Sequence, residues 1–576
     1  MGRRLLLLCV ALSLTACAGV PSSSPVRVVR RIPAEQPELP EAPAFRRRLP
    51  PNPPENATPT DIVRGFLLAQ GSSDGDHAIA RKYLAPTVPW NPAQSLTVYT
   101  SPRIGEAVVR GDSATVVATL QRIGTLTRDG EFRPPLSVES RQTFRLRRDP
   151  SLGWRLAEAP PGVLLTRDDL TASYQRFTLY FPNAARRLVP HQVFLRQSDQ
   201  PAATAVRALL TGPRGWLAPA VRSSIPEGTE LLDPPTVVDG VVTLNFSREI
   251  RRAPQETLGL LVAQVVWTLT EPALAVEAVR IQAEGQELVV PGHDGAREHR
   301  RPDWEEFAPA PRPFDDRLFF VRDGAPYALD AGGAVARVAA LTGVRSFAVN
   351  RSGTHLVAVV RLAGGREALD VVALSGPGGV RRALTADTLT APAWDPTSDV
   401  AWVAATTGGT TQVMTVPVTG TPAPVPASLP GGTVTSLRLS PDGSRVALLV
   451  AGPGRAALFV GRVERTATGA RAVADPRAIA PSVSLPTAVT FDGAGQVVVA
   501  GTLAGRRALV RLDVDGFTRG TIRDQGLPPG PVTALASSAA TPPDRVASVA
   551  GRMWRRTPGA DWAAIVGNGT AATYAG

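Results

Sequence analysis

A repeated pattern in the second half of the chain constrains the fold more than any other feature. Each repeat is a short polar turn followed by an apolar run, as in Ser440-Pro441-Asp442-Gly443 before Val446–Leu449. The turns begin 45 to 52 residues apart, at positions 350, 395, 440, 492 and 541. A four-stranded propeller blade needs about 40 to 50 residues and buries its faces only against neighbouring blades. The repeat therefore predicts a β-propeller.

Further repeat units set the predicted size of this propeller. Arg317–Val321 with Tyr327–Leu329 precedes the first full repeat, and Arg552–Arg556 with Trp562–Val566 completes the last one. We therefore expect about six blades over residues 315–576, with five also compatible with the pattern. Ring closure removes sheet edges that would otherwise pair with other chains. A two-sheet sandwich array is the alternative, but it explains the regular period less well. The aspartates of the turns are expected to cap them through their side chains.

Residues 57–165 change from helical to strand periodicity. An apolar stripe at helical spacing follows Thr60 and Asp61, either of which is a suitable N-cap, and a second helix is expected around His77 to Leu84. Alternating runs typical of strands come next. The pattern predicts an N-terminal α+β domain, in which Trp90 and Trp154 are expected to pack in the core or its rim and not to bind a ligand. The whole chain is thus expected to be multidomain, with α+β and all-β parts.

Residues 174–295 predict a second α+β domain. Its expected elements are a strand at Phe177–Asn183, a helix at Thr204–Leu210, a strand at Val241–Ser247, a helix at Leu258–Leu269 and a strand at Ala278–Ile281. Gly212-Pro213 ends the first helix, because Gly tolerates positive φ and Pro cannot continue a helix. This order, with Tyr180-Phe181 and Trp267-Thr268-Leu269-Thr270, resembles the GerM-type domain of spore-germination and actinobacterial envelope proteins. The resemblance implies a non-catalytic module for extracytoplasmic assembly.

The N-terminus predicts export and a lipid anchor. Arg3-Arg4 precedes an apolar run, Leu5–Leu14, which has signal-peptide length and is too short to span a bilayer. Leu14-Thr15-Ala16-Cys17 resembles the bacterial lipobox, which implies cleavage of residues 1–16 and lipidation of Cys17 as an S-diacylglycerol cysteine with N-acylation, typically palmitate. An ordinary signal peptide with an incidental Cys is the alternative.

Residues 17–56 predict a lipidated, Pro-rich linker. Its run Arg46-Arg47-Arg48 is interpreted as a solvated charge cluster, in preference to a contact with anionic head groups or wall polymers. The other cysteine, Cys9, leaves with the signal peptide, so the mature chain can form no internal disulfide and no Cys-based metal site.

The sequence contains no pattern that commits it to catalysis. We expect no catalytic residue, no metal site and no cofactor. Nucleophile elbows, phosphate-binding loops and zinc-binding His pairs are missing. The nearest histidine cluster, His293-Asp294 with His299, extends into residues 296–314, which are expected to be a charged linker. Asp168-Asp169 and Glu305-Glu306 are expected at the surface or at helix starts. The formal charge of +12 is spread without aromatic interleaving, so nucleic acid is not an expected partner.

The order of lipobox, Pro-rich linker, α+β domain, GerM-like domain and propeller resembles the actinobacterial LpqB lipoprotein family. The resemblance implies anchoring on the extracytoplasmic face of the cell membrane and a role in envelope and division homeostasis. It also implies that the partner is the extracytoplasmic domain of an MtrB-like sensor histidine kinase, whose two-component signalling is modulated. A cell-wall glycan as the propeller's ligand, or a purely structural role in the envelope, are the alternatives.

Overall fold

A computed structural model describes residues 50–576 of the chain, apart from short gaps. The gaps are residues 101, 136–138, 294, 312–315, 376–378, 453–454, 467–468, 470, 541, 558 and 560. The predicted signal peptide, Cys17 and the run Arg46–Arg48 lie outside the described residues. So does Thr541, which begins the last predicted turn.

The N-terminal domain begins with a capped helix, α1 (Pro59–Ala69). The predicted cap at Thr60 or Asp61 is wrong, because Thr58 is the N-cap and Asp61 is the third helical residue. Thr58 and Asp61 form a capping box: the Asp61 N–H donates to Thr58 Oγ1 at 3.2 Å, and the Thr58 N–H donates to the Asp61 carboxylate. Pro59 fits the first helical position, where no N–H is needed. Helix α2 (Ala78–Arg81) is shorter than predicted, since His77 adopts a left-handed conformation.

Eight strands form one sheet of the N-terminal domain, with α1 packed against it. They are β1 (Leu96–Tyr99), β2 (Arg103–Ile104), β3 (Val108–Arg110), β4 (Ser113–Leu126), β5 (Phe132–Arg133), β6 (Glu139–Asp149), β7 (Gly153–Leu156) and β8 (Val163–Thr166). The order is β7-β6-β4-β1-β8, and β2, β3 and β5 also pair with the long β4. Trp90 is buried and donates from Nε1 to the Gly162 carbonyl at 2.9 Å, as expected of a packing residue.

A helix, α3 (Arg167–Ser173), leads into the GerM-like domain. Asp168 and Asp169 lie in its first turn, which confirms their prediction as helix-start residues. The other helices and strands of this domain are β9 (Tyr174–Pro182), β10 (Leu188–Arg196), α4 (Pro201–Leu210), β11 (Thr236–Val238), β12 (Val241–Phe246), α5 (Gln255–Leu269), β13 (Ala278–Ala283) and β14 (Gln286–Glu287). Short 3₁₀ helices cover Ala218–Ala220, Arg248–Arg252, Pro272–Leu274 and Arg301–Phe307.

Helix α5 is the centre of the GerM-like core. It connects the parallel strands β12 and β13 of the sheet β11-β12-β13-β14 and also packs against β9 of the hairpin β9-β10. Every residue from Leu260 to Leu269 is buried. A helix that is apolar on nearly all sides requires a cover on each side.

The prediction that residues 296–314 form a solvated linker is wrong for part of that range. His299 is buried and its backbone bonds to Val279, so the segment adds to the edge of β13. Trp304 and Phe307 of the following 3₁₀ helix are buried in the GerM-like core, with Trp304 against Gly259 of α5. The many charged residues of this segment suggested a linker, but its two aromatic residues are buried. The segment therefore covers one side of the apolar helix α5.

Within the described residues, the strands after Asp316 form six successive sheets. They are sheet 1 (β15 Leu318–Arg322, β16 Ala325–Leu329, β17 Val335–Arg337 and β39 Thr570–Thr573), sheet 2 (β18 Val344–Val349, β19 His355–Arg361, β20 Glu367–Ala373 and β21 Val380–Ala386), sheet 3 (β22 Thr388–Leu389, β23 Ala393–Trp394, β24 Val400–Thr407, β25 Thr410–Pro417 and β26 Ala423–Pro424), sheet 4 (β27 Thr433–Leu439, β28 Arg445–Gly452, β29 Arg455–Arg465 and β30 Arg471–Ala478), sheet 5 (β31 Ser484–Phe491, β32 Gln496–Leu503, β33 Arg506–Asp513 and β34 Arg519–Ile522) and sheet 6 (β35 Val532–Ser537, β36 Arg545–Val549, β37 Arg552–Arg556 and β38 Ala563–Val566).

The last strand closes these sheets into a ring. Strand β39 pairs antiparallel with β15, so the end of the described chain supplies the first strand of sheet 1. The leading strands contact one another in the cyclic order β39, β18, β23, β27, β31, β35 and back to β39. Each apolar run predicted from the repeat is the second strand of its sheet, and it is buried between neighbouring sheets.

Candidate functional site

The sequence assigns a chemical role to Cys17 alone, and Cys17 lies outside the described residues. Within the described part of the chain, no three His, Cys, Asp or Glu side chains come close enough together to hold a metal ion. His293 and His299 are brought near each other, with ring centroids 6.4 Å apart, but both rings pack on Trp304. The closest histidine cluster in the sequence therefore belongs to an aromatic packing group.

The GerM-like domain docks on the propeller through its hairpin β9-β10. Asn183, at the tip of the hairpin, donates from Nδ2 to the Asp442 carbonyl at 2.7 Å and to Ser444 Oγ at 3.1 Å. Arg445 donates from Nη2 to the Pro190 carbonyl at 2.5 Å. Asp442, Ser444 and Arg445 are all buried. The Ser440–Gly443 turn that revealed the repeat is therefore also a domain contact.

Arg176 is a second anchor of this docking. Its guanidinium pairs with Asp513 and, at 2.8 Å, with Asp515, in the turn between β33 and β34. Burial by itself would lower the pKa of Arg176, but the charges of Asp515 and Asp513 outweigh it and raise the pKa. The Arg176 group therefore stays cationic, whereas burial raises the pKa of its partner Asp515 in spite of the Arg176 charge.

The same turn joins the N-terminal domain. Phe517 packs edge-on against Phe132 of β5 and Phe194 of β10, with centroid distances of 4.9 and 4.6 Å. The Arg167 guanidinium lies 4.5 Å from the Phe517 ring and donates to the Phe517 carbonyl. One propeller side chain thus contacts both preceding domains.

A small cavity of about 50 Å³ lies where the three domains meet, and charged side chains from each domain line it. Glu131 of the N-terminal domain accepts from the Trp216 backbone N–H at 2.7 Å and lies 3.3 Å from His191 Nε2 of β10. Arg477 of the propeller approaches the other carboxylate oxygen at 3.7 Å. Burial alone would raise the pKa of Glu131, but His191, the Trp216 N–H and Arg477 together bring it below its usual value. Sequence reasoning missed this junction, because its members are far apart in the chain.

The opposite face of the propeller is left free of these contacts. In each sheet, the first-to-second and third-to-fourth connections lie at one end and the second-to-third connection at the other. Asp442–Arg445 and Asp513–Phe517 belong to the first kind, so we call their face the docked face. The open face carries the second-to-third turns, which include the exposed residues Arg361, Arg506 and Arg552.

The open face has an excess of positive charge. Arg366 and Arg507 on this face pair with Asp387 and Asp524, at 3.6 and 3.0 Å. Arg361, Arg506 and Arg552 form no ion pair with any residue that the structure describes. These three arginines on separate sheets are therefore available to an anionic partner.

Comparison with protein families divides the chain in the same order as the structure. Residues 52–171 match the "Lipoprotein LpqB, N-terminal domain" model, residues 178–289 match "Sporulation and spore germination" (Germane), and residues 329–573 match "Lipoprotein LpqB beta-propeller domain". Neither LpqB model describes an enzyme.

Individual relatives named Lipoprotein LpqB are similar to this chain over most of its length. Lipoprotein LpqB of Streptomyces coelicolor is 29% identical, with 98% of this chain and 96% of the relative covered. That of Mycolicibacterium paratuberculosis is also 29% identical, with 83% of each covered. Among solved structures, the first GerMN domain of the Bacillus subtilis sporulation protein GerM covers 22% of this chain and 99% of its own, at 23% identity and a TM-score of 0.19. No helix in the described part of the chain is long and apolar enough to cross a membrane. The chain belongs to the LpqB family of envelope lipoproteins.

Proposed function

We propose that this envelope lipoprotein binds the extracytoplasmic domain of an MtrB-like sensor histidine kinase through the open face of its propeller and thereby modulates two-component signalling. The excess positive charge of that face carries the proposal: Arg361, Arg506 and Arg552 are exposed and without ion-pair partners among the described residues. The docked face is unsuited to this role, since it is occupied by the GerM-like domain. The expected counterpart is an acidic patch on the kinase domain.

A lipid on Cys17, on the extracytoplasmic side of the membrane, is part of this proposal. Two or more acyl chains hold a protein stably at a bilayer, whereas a single one does so only marginally. Anchoring confines the propeller to the layer in which a membrane-embedded kinase presents its ectodomain. The effective concentration of the two partners rises accordingly, so that a modest intrinsic affinity is sufficient.

Charge reversal on the open face tests the partner surface. The triple variant Arg361→Glu, Arg506→Glu and Arg552→Glu should reduce co-purification of the kinase from detergent-solubilised membranes by more than tenfold, because like charges at an interface repel. The matched control reverses three exposed arginines of the N-terminal domain, Arg110, Arg141 and Arg147. Equal co-purification by both variants would remove the open face from the proposal.

An anionic cell-wall polymer is the alternative partner, favoured by the same unpaired arginines. Purified cell wall distinguishes the two partners. If the wild-type chain sediments with wall material, the open-face variant does not, and neither associates with the kinase, then the wall polymer is the partner.

A further inference from the structure

A large cleft lies between the N-terminal domain and the GerM-like domain, next to the small junction cavity, with which it shares His191. Its volume is about 940 Å³, a size typical of ligand sites. Both domains contribute apolar side chains to its walls: Leu96, Leu126 and Leu165 come from β1, β4 and β8, and Leu179, Val193 and Leu195 come from β9 and β10. An apolar wall of this kind fits an alkyl chain.

Arginines dominate the charged lining of the same cleft. Five line it (Arg128, Arg133, Arg196, Arg207 and Arg214), against two aspartates, Asp76 and Asp129. Asp76 is already paired with Arg81 at 2.5 Å. The five arginines form no ion pair with any residue in the described ranges, and Arg196 bonds to a neutral group, Ser73 Oγ. The cleft is therefore strongly cationic.

Two buried polar groups in the cleft lack partners. Gln70 is 1% exposed, and its Oε1 accepts from the Leu164 N–H at 2.8 Å while its Nε2 has no hydrogen-bond partner in the structure. His77 is likewise buried and its Nδ1 is unpartnered. A buried donor without an acceptor is costly, so an acceptor from a ligand would stabilise this arrangement.

We propose that this cleft binds a phosphate-bearing lipid, with the head group among the arginines and the alkyl chain against the apolar walls. Guanidinium groups recognise phosphate through charge-assisted, often bidentate hydrogen bonds. The chain's own N-terminal segment is a poorer occupant, because residues 18–49 contain more arginines than acidic residues and would be repelled. The proposed ligand is independent of the proposed kinase partner, which binds the open face of the propeller.

Short soluble probes test the proposal on the full chain held in micelles of a maltoside detergent, which carries no phosphate, with empty micelles as the blank. Hexyl phosphate combines both parts of the ligand, inorganic phosphate supplies the head alone, and hexanol supplies the tail alone. By calorimetry, hexyl phosphate should bind at least tenfold more tightly than either. Affinity should rise by up to about fourfold per methylene from butyl to octyl phosphate, as expected for burial of the chain. It should also fall with added salt.

Substitutions then locate the site. Arg196→Gln with Arg207→Gln should weaken hexyl phosphate binding by about tenfold or more, while Arg110→Gln, an exposed arginine on β3, should have no effect. Circular dichroism establishes that the variants are folded, and the salt and chain-length series on the wild type need no variant. The proposal is overturned if hexyl phosphate binds no better than phosphate and hexanol, or if the folded double variant binds it as the wild type does.

Discussion

At the residue scale, buried aspartates connect the sheets of the propeller. Asp395 accepts from the Thr397 N–H and Oγ1 through Oδ1, as a turn-capping residue does. Its Oδ2 pairs with Arg465 at 2.9 Å and Arg471 at 3.2 Å, both in sheet 4. Asp492 pairs in the same way with Arg545 of sheet 6, at 2.6 Å. The turn residues therefore fix one sheet to the next as well as their own turn.

Asp395→Asn should separate these two roles. Asparagine can keep the turn contacts of Oδ1 but leaves two largely buried guanidinium groups without a counter-charge. We expect a loss of about 3–5 kcal/mol in the free energy of unfolding, measured by urea denaturation. Asp387→Asn is the matched control, because its pair with Arg366 is half-exposed at 3.6 Å and contributes less than about 1 kcal/mol. An equal effect of the two substitutions would contradict this assignment.

Glu131 should make the stability of the domain junction dependent on pH. Its pKa in the folded chain lies below the ordinary value of 4.5, despite burial, because His191, the Trp216 N–H and Arg477 favour the carboxylate. The stabilisation is therefore complete above the unfolded pKa and is lost as the pH falls through the lower, folded one. Arg445 also lines the junction and favours the same charged form.

Comparing the free energy of unfolding of Glu131→Gln with that of the wild type separates the contribution of Glu131 from that of the other carboxylates. At pH 7 the variant should be less stable by about 1–3 kcal/mol, because it removes the buried carboxylate that lies opposite Arg477 and beside His191. Below pH 4.5 the difference should shrink towards zero as Glu131 becomes protonated in the wild type. A difference that stays constant from pH 7 to pH 3 in urea titrations would show that the carboxylate charge is irrelevant.

At the scale of elements, a single turn of sheet 5 holds three domains together. The turn between β33 and β34 presents Asp513 and Asp515 to Arg176 and Phe517 to the N-terminal core. The turn requires a glycine at Gly516. Its φ is +77°, a value that other residues rarely adopt, and a Cβ there would lie 2.7 Å from the Ile479 carbonyl oxygen. The turn is as much a part of the N-terminal domain's packing as of the propeller.

Phe517→Ala should loosen the N-terminal domain without unfolding the propeller. Removing a buried Phe costs about 3–5 kcal/mol, and here the loss falls on an interdomain contact. We expect faster amide hydrogen exchange in β5 and β10, with exchange in β24 and β28 unchanged. Val380→Ala, at a position that is 54% exposed, provides the control. Uniform exchange changes throughout sheets 3 and 4 would argue instead for a global loss of stability.

At the scale of the whole molecule, the three domains form one compact unit within the residues that the structure describes. The GerM-like domain lies between the other two in sequence and contacts both in space through hairpin β9-β10.

The proposed anchor can be tested on the living cell. Cys17→Ala should release the chain from the membrane fraction or mislocalise it, while its domains stay folded, because the proposed lipid is attached through the thiol. Cys9→Ala is the natural control, since Cys9 lies in the apolar segment predicted to be cleaved off. Fractionation with labelled palmitate measures both location and lipid. Retention of unlabelled Cys17→Ala protein in the membrane would show that another feature anchors the chain.

Features that depend on local spacing could be predicted from the order of residues alone. The polar turn before each apolar run predicted the propeller strands, and Gly212-Pro213 marked the end of helix α4, because hydrophobic period and turn chemistry act over a few residues. The family likeness followed from the order of such parts. The lipobox at Cys17 is equally local, and the lipid on it stays a prediction.

Contacts between residues that are distant in the chain could not be predicted and became visible in the folded structure. Glu131, His191 and Arg477 come from three domains, and no local spacing relates them. The charged residues around Trp304 predicted a linker, but Trp304 packs on the apolar helix α5 in the GerM-like core. The closing strand β39, the open face and the cationic cleft likewise exist only once long-range packing is in place. Such contacts are selected by complementarity of shape and charge across the folded chain, which nearest neighbours in sequence do not encode.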